Sequence, residues 1–134
     1  MSNNRKRVVM VVEDFEDNRF MMRRLLEMSG YHVVEAVNGE QAVEVAELER
    51  PHLILMDLSL PKLDGLAATR RIRQNEALRR IPIIAVSAHD TSDFHADALA
   101  AGCNDYVTKP IDFEQLETLL SRLLPQDSED NPAA

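Results

Sequence analysis

Arg7-Val8-Val9-Met10-Val11-Val12-Glu13-Asp14 is an apolar run, rich in β-branched residues, that breaks directly into two carboxylates. Two later stretches end in the same way. His52-Leu53-Ile54-Leu55-Met56 stops at Asp57, and Asn104-Asp105-Tyr106-Val107-Thr108 stops at Lys109-Pro110. Short runs of this composition bounded by polar residues read as buried strands. As parallel strands of one sheet, their carboxyl ends bring Glu13, Asp14, Asp57 and Lys109 into a single crevice, the place where open α/β sheets bind ligands. Clustered carboxylates suit a hard divalent cation, Mg²⁺ foremost. A lysine beside them suits a transferred phosphoryl group.

The chain between these runs alternates regularly. Asp17 to Ser29 carries Met21, Leu25 and Met28, with Met22 and Leu26, at helical spacing, and Gly30 stops it. His32 to Ala36 is a short strand. Asn38-Gly39 opens a helix bearing Ala42, Val43, Ala46 and Leu48, which Pro51 ends. After the loop Ser59-Leu60-Pro61-Lys62-Leu63-Asp64-Gly65, a helix is expected from Gly65 to Gln74. Ile81 to Val86 reads as a strand covered on both faces. An Ala-rich helix follows over Thr91 to Ala101, closed by Gly102. A strand at Asp105 to Thr108 and a helix over Asp112 to Leu124 complete the pattern, the helix placing Phe113, Leu116, Leu120 and Leu123 on one face. Five strands alternating with five helices predict an α/β fold, a parallel sheet with helices on both sides and right-handed crossovers.

Composition narrows the function. The chain has 134 residues, 45% hydrophobic and 28% charged, which fits one compact soluble domain. A net charge of −8 argues against a general nucleic-acid or anionic-membrane binder. No apolar run approaches the roughly 18–20 residues that span a bilayer. The single cysteine, Cys103, excludes an internal disulfide and suits a reducing compartment, so a cytoplasmic location is expected. Residues 1–5 are expected to be a flexible N-terminus, 6–124 the domain, and 125–134 a disordered acidic tail. No second domain is expected to carry DNA binding or catalysis.

In the order Val12-Glu13-Asp14, Asp57 with Pro61 and Gly65, Ser87-Ala88, and Tyr106-Val107-Thr108-Lys109-Pro110, the chain resembles the receiver domain of two-component response regulators. The stand-alone, chemotaxis-receiver-like type is the nearest in kind. Each piece is weak alone; together, at the right strand ends and over residues 6–124, they are specific. The resemblance implies a flavodoxin-like three-layer sandwich with strand order 2-1-3-4-5. It implies that Asp57 is the nucleophile that becomes phosphorylated. Asp14, Asp57 and the backbone carbonyl of Ser59 would hold Mg²⁺. Glu13 replaces the aspartate more usual in the family, and its longer side chain is expected to act through a metal-bound water. Lys109 and the Ser87 hydroxyl would each take a phosphoryl oxygen, with Ala88 small enough to leave room. Ser87 and Tyr106 would form the switch, and the peptide before Pro110 would be cis. The phosphoryl donor would be a phosphohistidine on a sensor histidine kinase or histidine phosphotransfer protein, and the output a change in binding to another protein. The readout surface would be the Thr91–Ala101 helix, the Tyr106 strand and the last helix.

Two jobs stay open within this resemblance: terminal output, or a phosphorelay intermediate passing its phosphoryl group to a histidine phosphotransfer protein. Asp17-Asn18-Arg19 and Ala85-Val86-Ser87-Ala88 look somewhat like receivers fused to hybrid kinases, which favours a phosphorelay or cell-regulatory role over flagellar control. A phosphorylation-independent scaffold receiver would be expected to lose Asp57, Asp14 or Lys109. Other classes fit worse. An aspartyl-nucleophile phosphatase usually has a second Asp two residues on, where this chain has Ser59. The four glycines lie far apart and make no phosphate-binding loop. A flavodoxin-type binder would place hydroxyls after the first strand, where this chain has Glu13-Asp14-Phe15-Glu16-Asp17. No turnover of a separate substrate is expected. Phe15 and His89 flank the presumed pocket. Arg70, Arg71 and Arg73, with Arg79 and Arg80, are expected to be a solvated face. His89 and His95 are expected at the surface, and Cys103 in a turn.

Overall fold

The computed structural model describes residues 7–58, 64–88 and 92–124. The expected flexible N-terminus, the acidic tail, Ser59, Pro61 and His89 lie outside the described residues. Within them, ten elements alternate: β1 Val8–Val12, α1 Glu16–Met28, β2 His32–Ala36, α2 Gly39–Glu49, β3 Leu53–Asp57, α3 Gly65–Gln74, β4 Ile83–Ser87, α4 Ser92–Ala101, β5 Asp105–Thr108 and α5 Phe113–Leu123. All four strand pairings are parallel, in the order β2-β1-β3-β4-β5.

Successive strand residues point to opposite faces, so each central strand feeds two cores. Met10, Val12, Ile54, Met56, Ile83 and Ala85 pack on one face against α2, α3 and α4 through Ala42, Ala46, Ala68, Ile72 and Ala98. Val9, Val11, Leu53, Leu55, Ile84 and Val86 pack on the other against Leu26 of α1 and Leu116, Leu119 and Leu120 of α5. This two-sided burial is why the strands read as unbroken apolar runs.

Side-chain caps set several helix starts. Asn38 accepts from Gln41 N at 2.8 Å while Gln41 Oε1 accepts from Val37 N at 2.7 Å, locking the first turn of α2 from both sides. Asp64 caps α3 by accepting from Ala67 N at 2.8 Å. Asp112 caps α5, accepting from Glu114 N at 3.0 Å.

The structure corrects three expectations, for Ile81, Arg73 and His95, and shows which side of each apolar helix stripe is buried. Met21 and Met28 are 57% and 76% exposed, so only Leu26, with Met22 and Leu25 beside it, anchors α1. Leu48, at 80%, is also outside the core of α2. Ile81 precedes β4 because its N–H closes a turn onto Leu78 O at 3.0 Å and Pro82 has no N–H to offer the sheet. Arg73 is not part of a solvated face, although Arg70, Arg71, Arg79 and Arg80 are exposed. Its guanidinium donates to Gly102 O at 2.9 Å, Arg79 O at 3.1 Å and Asn104 Oδ1 at 2.9 Å, tying α3 to the α4–β5 turn. Gly102 takes φ +117 there, and a Cβ on it would stand 2.6 Å from Arg73 Cγ. His95 is half-buried, stacked on Tyr106.

Cys103 lies buried just past this turn. Burial pushes its thiol pKa up, against the opposing pull of Thr69 and Arg73. Since the thiolate is the reactive form, thiol-reagent labelling of the native protein at mildly alkaline pH is expected to be slow, becoming fast only in denaturant. Rapid native labelling would contradict this packing.

Candidate functional site

Each chemical group stands at the carboxyl end of a strand. Asp57 is the last residue of β3 and Ser87 the last of β4, while Glu13 and Asp14 follow β1 and Lys109 follows β5. The parallel register aligns these ends, with Met56 beside Val12 and Ala85, and Ser87 beside Thr108. Asp57 is 2% exposed, Ser87 4% and Glu13 7%, whereas Asp14 is exposed.

Lys109 Nζ lies 3.1 Å from Asp57 Oδ2 and 3.3 Å from Glu13 Oε1, one cation bridging two buried carboxylates. One oxygen each from Glu13, Asp14 and Asp57 can be chosen so that all lie within 4.8 Å of one another. The backbone reinforces the cluster. Glu13 Oε2 accepts from Phe15 N at 3.1 Å, and Lys109 N donates to Ser87 O at 2.8 Å. The Lys109–Pro110 peptide is cis.

The electrostatics show a site with negative charge in excess. Burial pushes the Glu13 pKa up, and the Asp57 carboxylate adds to this; the Phe15 N–H and Lys109 only partly oppose it. Burial acts to lower the Lys109 pKa, but Asp57 and Glu13 together more than offset that and raise it. Three carboxylates against one ammonium form a hard, oxygen-rich donor set suited to a divalent cation. The residues present therefore fit Mg²⁺.

Two predictions follow from this charge balance. Because the folded protein binds the Glu13 proton more tightly than the unfolded chain, metal-free stability should fall as pH rises from the ordinary glutamate range through the raised pKa. Glu13→Gln should flatten that slope in denaturation curves taken across this range. Lys109→Ala, which leaves two buried carboxylates without their bridge, should cost about 1–3 kcal/mol without metal. Added Mg²⁺ should then recover more stability in this variant than in the wild type; equal recovery would argue against a shared cluster.

Two contributors were not legible as site residues. Arg19 donates to Glu13 O at 3.0 Å and to Glu35 Oε1 at 3.0 Å, pinning the acidic loop to β2. In the sequence it stands out only as part of Asp17-Asn18-Arg19, with nothing to direct it at Glu13. Gly65 was legible as part of a motif, but not for its reason: α3 starts so close to the end of β3 that a Cβ would stand 2.3 Å from Asp57 O. Among the described residues, the sequence-predicted Glu13, Asp14, Asp57 and Lys109 come together. Ser87 sits on the neighbouring strand end, and Tyr106 lies two residues before the end of β5, stacked on His95.

An apolar cavity of about 440 Å³ adjoins the cluster between α1 and α5, lined by Met22, Leu25, Leu55, Ile111 and Phe113, with Glu13 and Lys109 also on its wall.

Residues 9–121 match the family described as the response regulator receiver domain. The polar-differentiation response regulator DivK of Brucella anthropi is 40% identical over 116 residues, covering 86% of this chain and 94% of that protein. The receiver domain of the sensor histidine kinase PA1611 from Pseudomonas aeruginosa, solved with a magnesium ion coordinated in its active-site cleft, is 39% identical with a TM-score of 0.84, covering 91% of this chain and all of that one (100%). The receiver domain of Ssk1 from Saccharomyces cerevisiae, solved with the histidine phosphotransfer protein Ypd1, is 30% identical with a TM-score of 0.81, at 88% of each chain.

Proposed function

Because this chain belongs to the response regulator receiver family, we propose that its acidic cluster accepts a phosphoryl group from a phosphohistidine onto Asp57, and that the modified protein signals through altered protein binding. The observation that carries this reading is Lys109 bridging Asp57 and Glu13 with Asp14 alongside. An Asp57 carboxylate oxygen forms the new bond to phosphorus as the phosphorus–nitrogen bond to the donor imidazole breaks. Asp57, at 2% exposed, is held in place by strand pairing and by Lys109. Phosphoryl transfer asks mainly for positioning and charge compensation. Lys109, freed from its carboxylates, supplies compensation to one phosphoryl oxygen, and the Ser87 hydroxyl donates to another. Asp14, Asp57 and Glu13 would hold Mg²⁺, with the Ser59 carbonyl that the family resemblance implies, and the ion would supply the remaining positive charge.

Phosphorylation replaces the single negative charge of the Asp57 carboxylate with about −1.5 to −2 on the phosphoryl group, by analogy with other phosphorylated side chains, in a cluster already in negative excess. Ser87 and Lys109 follow the new charge, and Tyr106 turns inward as Ser87 moves. The protein turns over no separate substrate. Partners of receivers include histidine kinases and histidine phosphotransfer proteins; here the exposed Met21 on the wall of the α1–α5 cavity offers the donor an apolar approach. Among the described residues no helix is long and apolar enough to cross a membrane. A cytoplasmic, stand-alone protein is the reading that the DivK likeness and the lone cysteine support, with residues 6–124 as the functional domain.

The two jobs separate in a chase experiment. Protein phosphorylated on Asp57 is mixed with histidine phosphotransfer proteins of the same cell. Rapid return of the phosphoryl group to a histidine identifies a relay intermediate, and retention with capture of a phosphorylation-dependent partner identifies a terminal output.

A further inference from the structure

We propose that His95 is a positioning residue for the switch, its imidazole holding the Tyr106 ring in the resting orientation from which phosphorylation must release it. The inference rests on the reading of Tyr106 as the switch aromatic. The two rings stack with centroids 3.5 Å apart and planes 20° from parallel. They join α4 to β5, the last strand of the sheet.

The stack matters because the buried α4 residues among those described are small. Ala98, one turn beyond His95, and Ala101 are buried but small, while Leu99 is 50% exposed and Phe94 36%. Among the described residues of α4, His95 is thus the side chain with a ring contact to β5, beside the small buried Ala98 and Ala101. The Tyr106 backbone is meanwhile fixed, since Tyr106 pairs with Ala85 and the far end of α4 is tied to α3 through Arg73. Movement of the phenol is therefore a side-chain rotation that separates two rings, leaving the strand in place. Rotation inward breaks the stack, and rotation back restores it. Such a contact, made in one state and absent in the other, shifts a two-state equilibrium by its own strength. Stacked aromatic pairs correspond to about a two- to tenfold change in population.

The chain has no tryptophan and two tyrosines, Tyr31 and Tyr106. In a Tyr31→Phe background, tyrosine emission and its quenching by iodide therefore report on Tyr106. Beryllofluoride with Mg²⁺ serves as the acyl-phosphate mimic, its uptake followed separately by fluorine NMR. His95→Ala is expected to move Tyr106 emission toward its activated value before any addition, and to lower the beryllofluoride concentration at half-saturation about two- to tenfold. His95→Phe, which restores a stacking ring, should return both towards wild type. A merely structural role would lower stability in denaturant and leave the half-saturation point alone. An Ala variant that saturates at the wild-type concentration or higher overturns the proposal. If beryllofluoride is taken up but Tyr106 emission stays unmoved in every variant, the switch reading itself falls, and the proposal with it.

Discussion

Asp57→Asn should carry no phosphoryl group from any donor while remaining folded. Asparagine keeps the shape of the side chain but lacks the carboxylate that attacks phosphorus, so the expected loss is complete. The fold should tolerate the change because it removes one of the negative charges crowded around Glu13 and leaves Lys109 free to pair with Glu13. Relief of like-charge repulsion should hold the metal-free melting temperature at or above that of wild type. Mg²⁺ should stabilise the variant less than the wild type, since one ligand has lost its charge. A phosphorylated Asp57→Asn protein would mean that another residue is the acceptor. Peptide mapping of the adduct identifies it.

Gly65→Ala should destabilise the protein by about 2–4 kcal/mol, read as a lower denaturation midpoint. The sign is informative because Gly65 lies in the first turn of a helix, where alanine is ordinarily better than glycine by about 1 kcal/mol. Here the added Cβ would meet Asp57 O at 2.3 Å and Leu58 Cα at 2.7 Å, both backbone atoms that no rotamer change can move aside. Either α3 or the end of β3 must shift, and Asp57 belongs to the latter. The variant should therefore also accept phosphate more slowly than its residual folded fraction explains. An unchanged or raised midpoint would show that α3 does not approach β3 so closely.

The strands and the four chemical residues at their ends were legible because the signal is local. A run such as Leu53-Ile54-Leu55-Met56, closed by Asp57, is buried on both faces, and its end is marked by the first charge. The strand order was not local information; it came through likeness to a family whose order is known. Helix faces were only partly legible. The 3.6-residue period puts Met21 and Met28 near Leu25, but it does not say which flank of a broad apolar stripe the sheet covers, and both face solvent. Arg73 and His95 were misread for a related reason. Whether a polar side chain is buried depends on partners far along the chain: Gly102 and Asn104 for Arg73, Tyr106 for His95. A run of arginines looks the same whether one of them is a tie or all are solvated. Glu13 was legible as a departure from the family, and the structure adds its consequence: a buried carboxylate bridged to Asp57 through Lys109.

The most direct measurement is the intact mass of the wild-type protein after incubation with acetyl phosphate and with a panel of phosphorylated histidine kinases and phosphotransfer proteins. Each reaction is run with Mg²⁺ and with EDTA. The account predicts a single phosphoryl adduct that forms only with Mg²⁺ and maps to Asp57. Absence of an adduct with every donor, or one that forms equally well in EDTA, would contradict it.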